Sequence, residues 1–227
     1  MNAGVLPIAA RSAQYGGKTQ MIKTLALAIS LLAAFTGAAW ADPVRLVVLG
    51  DSLSAGYGLG PGEGFTDQLQ KALTAKGLDV AVVNAGVSGD TAGGGLARLD
   101  WSVGPDAQAV LVELGANDML RGLDPAVPQQ ALDAILSRLG ERKLPVLLAG
   151  MMAAPNLGPD YAKRFDGLYP DLAAKHGTML YPFFLDGVVA DQALLQADGM
   201  HPNAAGVAVI VEKILPAVED LVAQVRR

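Results

Sequence analysis

Two short stretches far apart in the chain carry residue types that could do chemistry together. The first is "GDSLS", residues 50–54, where the apolar run "VRLVVL" breaks at Gly50 and is followed by Asp51 and Ser52. A serine hydroxyl is a poor nucleophile unless a base takes its proton. The chain holds two histidines, His176 and His201. His176 lies in "AAKHGTM" at the end of a helical pattern and just before Gly177, where the helix dipole and a C-cap explain it. His201 lies in the second stretch, "DGMHPN", with Asp198 three residues earlier. A tight turn there would set the Asp198 carboxylate against Nδ1 of the ring and leave Nε2 free to accept from a serine. Each piece also has a plainer reading: Ser52 as a helix cap, and Asp198 as a turn residue.

Two more polar loops follow apolar runs, "NAGVSGDT" at residues 84–91 and "GAND" at residues 115–118. Turn chemistry accounts for any one of them, and a glycine-rich loop before a helix could also cradle a phosphate. However, no Walker lysine pair follows, and the first strand is not followed by G-x-G-x-x-G. The nucleophile elbow G-x-S-x-G is absent too, because Ser54 stands where its second glycine would be. Asp51 and Asp118 flank these positions without a histidine at short spacing, and read as acceptors that fix loops. The chain has no cysteine, which excludes disulfides, thiolate nucleophiles and cysteine-ligated zinc. No cluster with metal-ligand spacing is present, so neither a metal nor a cofactor is expected.

The elements that must position these residues alternate regularly. Strand candidates are "VRLVVLG", "DVAVVNAG", "AVLVELG", "LPVLLAGMM" and "TMLYPF". Helical patterns lie between them: "EGFTDQLQKALTAKG", "DTAGGGLARLDWSV" with Asp90 as N-cap, "VPQQALDAILSRLGERK", "PDYAKRFDGLYPDLAAKHG" interrupted by Pro170, and a last helix kinked at Pro216. Continuous apolar strands point to a parallel sheet of five strands covered on both faces, hence one α/β domain in three α/β/α layers. Ligands then bind beyond the carboxyl ends of the strands, where all three polar loops emerge.

The 227 residues carry a net charge of -5, with no basic run to suit nucleic acid. Residues 21–41 read as a secretory signal: Lys23, an apolar stretch over residues 24–35, and Ala39-Trp40-Ala41 as the cleavage site before Asp42. Residues 1–20 read as an extension before a true start at Met21. The mature chain, of about 185 residues, is large enough for one core. It is expected in the periplasm or medium, without a stable membrane anchor, as a monomer.

The four blocks "GDSLS", "NAGVSGDT", "GAND" and "DGMHPN", in this order across the whole mature chain, resemble those of the GDSL or SGNH hydrolases. The phrases "LGDSLSAGYG", "GLARL" and "VELGANDMLRG" are most similar to its secreted bacterial thioesterase, lysophospholipase and arylesterase branch. The resemblance implies Ser52 as nucleophile, His201 as base and Asp198 as its orienting acid. It implies an oxyanion hole of the Ser52 and Gly86 backbone N–H groups and the Asn117 side chain. The substrate would be an acyl ester or thioester, or, with the same triad, an O-acetylated carbohydrate. A non-catalytic anion-binding module is the remaining alternative. Members of that branch often read G-G-N-D, so Ala116 is a departure. If that position needed a positive φ, Ala116 would cost about 1 kcal/mol, and a compatible backbone is expected instead. The loop "MMAAPNLG", with Met151, Met152 and Pro155, is expected to wall or lid the acyl group.

Overall fold

Runs of branched residues, too apolar to leave either face in water, pair into a five-stranded sheet: β1 (Val44–Gly50), β2 (Val80–Gly86), β3 (Ala109–Glu113), β4 (Val146–Ala149) and β5 (Met179–Tyr181). The computed structural model describes residues 42–226 together with Met1 and Gly4, so the expected signal segment lies outside the described residues, as does the rest of the 1–20 extension. Strand order is β2-β1-β3-β4-β5 and every pairing is parallel. This is a doubly wound, flavodoxin-like order, as the resemblance to the SGNH hydrolases implies.

The intervening helices are α1 (Ser52–Ala55), α2 (Phe65–Ala75), α3 (Ala92–Ala97), α4 (Leu99–Ser102), α5 (Ala116–Leu120), α6 (Ala126–Glu141), α7 (Pro159–His176) and α8 (Ala204–Val225). Right-handed crossovers put α2 and α8, which pack on each other, over one face of the sheet. On the other face α3 packs against α6, and α6 against α7. The strands β1, β3 and β4 between these layers are buried almost throughout, whereas the edge strand β2 is only half covered.

Two details depart from the expectations. The pattern over "DTAGGGLARLDWSV" forms two short helices, and the cap of the first is Thr91, whose side chain accepts from the Gly94 N–H. Three successive glycines make a weak helix, and Arg98 ends it by turning inward. Its guanidinium donates to the carbonyls of Gly50 (2.8 Å) and Ala85 (2.7 Å), and pairs with Asp90 at 2.6 Å. Asp90 is therefore a partner of Arg98, not a cap. Pro170 does not interrupt α7, and α8 likewise runs through Pro216. Both prolines face water, where the carbonyl each one orphans can be hydrated.

Gly86 ends β2 directly against α1. A Cβ there would lie 2.5 Å from the Ala55 nitrogen and 2.9 Å from the Asp51 carbonyl oxygen, both backbone atoms that cannot yield. Gly86→Ala is expected to lower the unfolding free energy by about 1–3 kcal/mol in urea titrations. Gly140→Ala, in open space on the last turn of α6, should instead raise it by up to about 1 kcal/mol.

Candidate active site

Register brings the polar loops level. Gly50 at the end of β1 stands opposite Gly86 of β2 on one side and Glu113 of β3 on the other. The chain therefore leaves all three strands at one height, and the residues that follow share one crevice. Asp51 caps α1 by accepting from the Leu53 N–H at 3.0 Å, which leaves Ser52 as the first helical residue rather than the cap. The N–H of Ser52 has no acceptor among the described residues.

His201 reaches this point from the far end of the chain. Its Nε2 lies 2.9 Å from Ser52 Oγ, and its Nδ1 lies 2.6 Å from Asp198 Oδ2. The D-x-x-H spacing works because Asp198 closes a turn: its Oδ1 accepts from the N–H groups of Met200 (2.9 Å) and His201 (3.0 Å). Those backbone donors, with the ring, hold the Asp198 carboxyl down at about 2, well below its ordinary range. Nδ1–H thus faces a permanent anion, and Nε2 is left as the acceptor for the Ser52 hydroxyl. His176 lies at the other end of α7, with Nε2 2.6 Å from Asp133 Oδ1, a structural pairing.

Asn117 enters from α5. The positive φ in this block falls on Gly115 (116°), where a Cβ would also collide with the Tyr169 hydroxyl. Ala116 sits in the helix itself, so its departure from the G-G-N-D pattern carries no backbone strain. Nδ2 of Asn117 donates to Asp51 Oδ2 at 2.9 Å, which aims the second amide hydrogen of the same nitrogen elsewhere. Asp118 is buried, and its Oδ2 accepts from the Ala92 N–H at 2.7 Å, tying α5 to α3. Burial raises the Asp118 carboxyl, partly offset by that bond. Asp51 and Asp118 are the loop-fixing acceptors expected of them. Burial pushes Asp51 up to about 6 despite the donors Leu53 and Asn117. Glu113, fully buried beneath it, is pushed well above the carboxylate range by desolvation and by the Asp51 charge.

Two expected site residues are placed otherwise. The Gly86 N–H is not free, since it donates to Asn84 Oδ1 at 2.9 Å in an Asx turn. The Gly89 N–H (φ 84°), by contrast, has no acceptor among the described residues, at the tip of a turn closed by Asp90 N–H to the Val87 carbonyl. Arg121 of the loop after α5 holds the Gly89 carbonyl at 2.7 Å. Met151 is 3% exposed and belongs to the core, whereas Met152 and Pro155 are exposed in the loop after β4. That loop is pinned by Ala153 N–H to Asp166 Oδ1 and Ala154 N–H to the Met119 sulfur.

Several contributors carried no signal in the sequence. Gln196 donates from Nε2 to the Tyr57 carbonyl at 2.8 Å and to the Pro202 carbonyl at 3.0 Å, fastening the His201 loop to the segment after α1. The Tyr57 ring packs on His201 with centroids 4.7 Å apart. Asn203 was readable as an N-cap before the last apolar helix, and it caps α8 through Ala205 and Gly206.

Comparison with known proteins agrees with this geometry. The GDSL-like Lipase/Acylhydrolase family profile matches residues 48–209. The chain is 44% identical over 177 residues to Esterase TesA of Pseudomonas aeruginosa, covering 78% of this chain and 88% of that protein. It is 39% identical over 159 residues to Thioesterase 1/protease 1/lysophospholipase L1 of Escherichia coli K12, covering 70% of this chain and 75% of that one. Among solved structures, the SGNH-hydrolase family esterase AlinE4 superposes with a TM-score of 0.69 at 45% identity, over 80% of this chain and 98% of AlinE4.

The buried acid at Asp51 sets a pH dependence of stability. Its folded-state value of about 6 lies above the unfolded one, near ~4, so the folded protein binds the proton more tightly. Stability therefore falls as pH rises from ~4 to ~6, and the cost is complete above that. Asp51→Asn is expected to unfold at a higher urea concentration than wild type at pH 8, the gap closing toward pH 4. A constant gap across that range would contradict the assignment. Asp198 has the opposite sign: its contribution is present above ~4 and is lost as pH falls toward 2.

Proposed function

Because the chain belongs to the GDSL-like lipase/acylhydrolase family and is an ester-hydrolysing serine hydrolase, we propose that Ser52, His201 and Asp198 form its catalytic triad. The observation that carries this reading is the 2.9 Å approach of His201 Nε2 to Ser52 Oγ, with Asp198 behind the ring. Ser52 Oγ attacks the acyl carbonyl as its proton passes to Nε2. The imidazolium, steadied by Asp198, gives that proton to the leaving alkoxide or thiolate, and the acyl group stays on Oγ. Water then loses a proton to Nε2 and attacks the acyl-enzyme. Collapse returns the proton to Ser52 and frees the carboxylic acid.

Charge developing on the carbonyl oxygen needs fixed donors, each worth about 3 kcal/mol of barrier. We assign these to the Ser52 N–H, the Asn117 amide and, in place of Gly86, the Gly89 N–H. The last choice rests on the hydrogen-bonding state of the two glycines.

Aryl and acyl esters, including thioesters and lysophospholipids, are the proposed substrates. The names of the relatives favour these, and so does the apolar rim of the crevice. Tyr57, Val87, Leu120, Met152 and Met200 are all 40% or more exposed; Leu120 ends α5, and the other four stand on loops at the carboxyl edge of the sheet. Such a rim suits an acyl or aryl group better than an acetylated sugar. Met152 and Pro155 would contribute one wall. The signal pattern in residues 21–41 supports a periplasmic or secreted enzyme, released by cleavage after Ala41.

A fluorophosphonate is expected to label wild type at Ser52 and to leave Ser52→Ala unlabelled. His201→Ala should lower kcat on p-nitrophenyl esters by about a thousandfold or more with the fold intact. Near-full activity in that variant would remove the triad assignment. A panel of acyl esters from acetyl to palmitoyl beside acetylated sugars should favour the acyl esters. Clear preference for sugar acetates would replace them with the deacetylase reading.

A further inference from the structure

We propose that Glu113 is a positioning residue that, through Asp51, sets the orientation of Asn117 and of the Ser52 loop. This rests on the oxyanion role given to Asn117 above.

Glu113 is the last residue of β3, fully buried, where a parallel strand covered on both faces ordinarily carries an aliphatic side chain. Its Oε2 accepts from the Ser54 hydroxyl at 2.7 Å and from the Asp51 N–H at 3.3 Å. Its Oε1, also buried, has no partner among the described residues. Space was cleared for this pair: a Cβ on Gly50 would lie 2.3 Å from Ser54 Oγ and 2.6 Å from Glu113 Oε2. The glycine of the G-D-S-L stretch is thus bare because the Ser54 hydroxyl and the carboxyl group it donates to lie beneath it. A buried acid that costs desolvation and constrains a neighbouring residue to glycine has to be accounted for.

Its reach explains it. Glu113 grips Asp51 at its N–H and Ser54 at its hydroxyl, on either side of Leu53, whose N–H donates to Asp51 Oδ1. Burial and the neighbouring Asp51 charge push the Glu113 carboxyl well above its ordinary range. Asp51 in turn divides its oxygens, Oδ1 to the Leu53 N–H and Oδ2 to Asn117 Nδ2. An anionic Asp51 can only accept, so the Asn117 amide must present nitrogen to it, and that nitrogen's second hydrogen is directed away from Asp51. By holding the Asp51 N–H and the Ser54 hydroxyl, Glu113 fixes the backbone from which Asp51 reaches the amide.

The charged and titratable groups facing this pair are few. They are His201 at the start of α8, Asp118 on α5, Tyr169 on α7, and Arg98, which holds the Gly50 carbonyl.

The test is a double-mutant cycle on a p-nitrophenyl ester at pH 8. Glu113→Met is expected to lower kcat by about ten- to thirtyfold with KM within about twofold, while Glu113→Gln, neutral and able both to donate and accept, stays within about threefold of wild type. Added to Asn117→Ala, Glu113→Met should cost less than about threefold more, because the donor it positions is already gone. Losses that multiply in the double variant would overturn the proposal, as would full kcat in folded Glu113→Met. If Glu113→Met does not fold, Glu113→Gln decides: retention supports the role, and a loss of about tenfold or more overturns it. Intact kcat in Asn117→Ala would instead remove the oxyanion assignment on which the proposal stands.

Discussion

The crevice depends on one constraint, the parallel register that sets Gly50 opposite both Gly86 and Glu113. Hydrogen bonds fix that register along buried strands, and a slip by one residue would turn every core side chain to the wrong face. Because the core specifies the register, it also specifies the height at which Ser52, the Gly89 turn and Asn117 leave the sheet. Arg98 reinforces it by binding the carbonyls of Gly50 and Ala85, which end the ladder on β1 and β2. The guanidinium is itself buried and neutralised by Asp90, so the cost of desolvating it is offset by four polar contacts. Precision at the site is thus inherited from apolar packing, with a single charged side chain closing the open strand ends.

Below the nucleophile the fold accepts polar groups that weaken it. Asp51, Glu113 and Asp118 are buried, and desolvation raises all three. Aliphatic residues would pack at these positions with less cost, but they would leave the Leu53 and Ala92 N–H groups and the Asn117 amide without acceptors. The carboxylates convert loops into fixed geometry. Asp51 in particular caps α1 and orients Asn117 with the same side chain, so the start of the helix and the side-chain donor cannot move independently.

The fold was legible because its signals are repeated. Five apolar runs with helical patterns between them admit one architecture, and errors stayed local, as with Thr91 taking the cap from Asp90. Ser52, Asp198 and His201 were legible as candidates because nucleophilic chemistry demands particular residue types, and the structure sets their side chains within hydrogen-bond reach. Asn117 came from the resemblance to the GDSL hydrolases, and its side chain meets Asp51. What stayed hidden depends on three-dimensional neighbours. Nothing in "VELGAND" distinguishes a carboxyl group aimed at the next strand from one aimed at water, and nothing in "ALLQADGM" marks Gln196 as a strut to Tyr57. Met151 was expected to wall the acyl group, yet the buried run of β4 continues through it. Gly86 was a donor only by the resemblance; its N–H is taken by Asn84 Oδ1, and its bare Cα lets α1 pack against it.

The division of the site between near and far contacts carries a further consequence. Asp198 and His201 are three residues apart and share one turn, so their mutual geometry is set locally, by backbone N–H groups donating to Asp198. Ser52 and Asn117 are likewise bound through Asp51 at the ends of adjacent strands. These two prefabricated halves meet at the junction where the Ser52 hydroxyl faces His201, 149 residues apart in sequence. It is guarded by Gln196 holding the Tyr57 and Pro202 carbonyls and by the Tyr57 ring lying on the imidazole. Small displacements of the segment before α8 therefore act on the distance between Ser52 and His201. In the proposed mechanism that distance governs proton transfer and leaves the proposed oxyanion donors untouched. The base proposed at His201 would then be tuned from the C-terminal segment while the electrostatic part of the site stays fixed in the sheet.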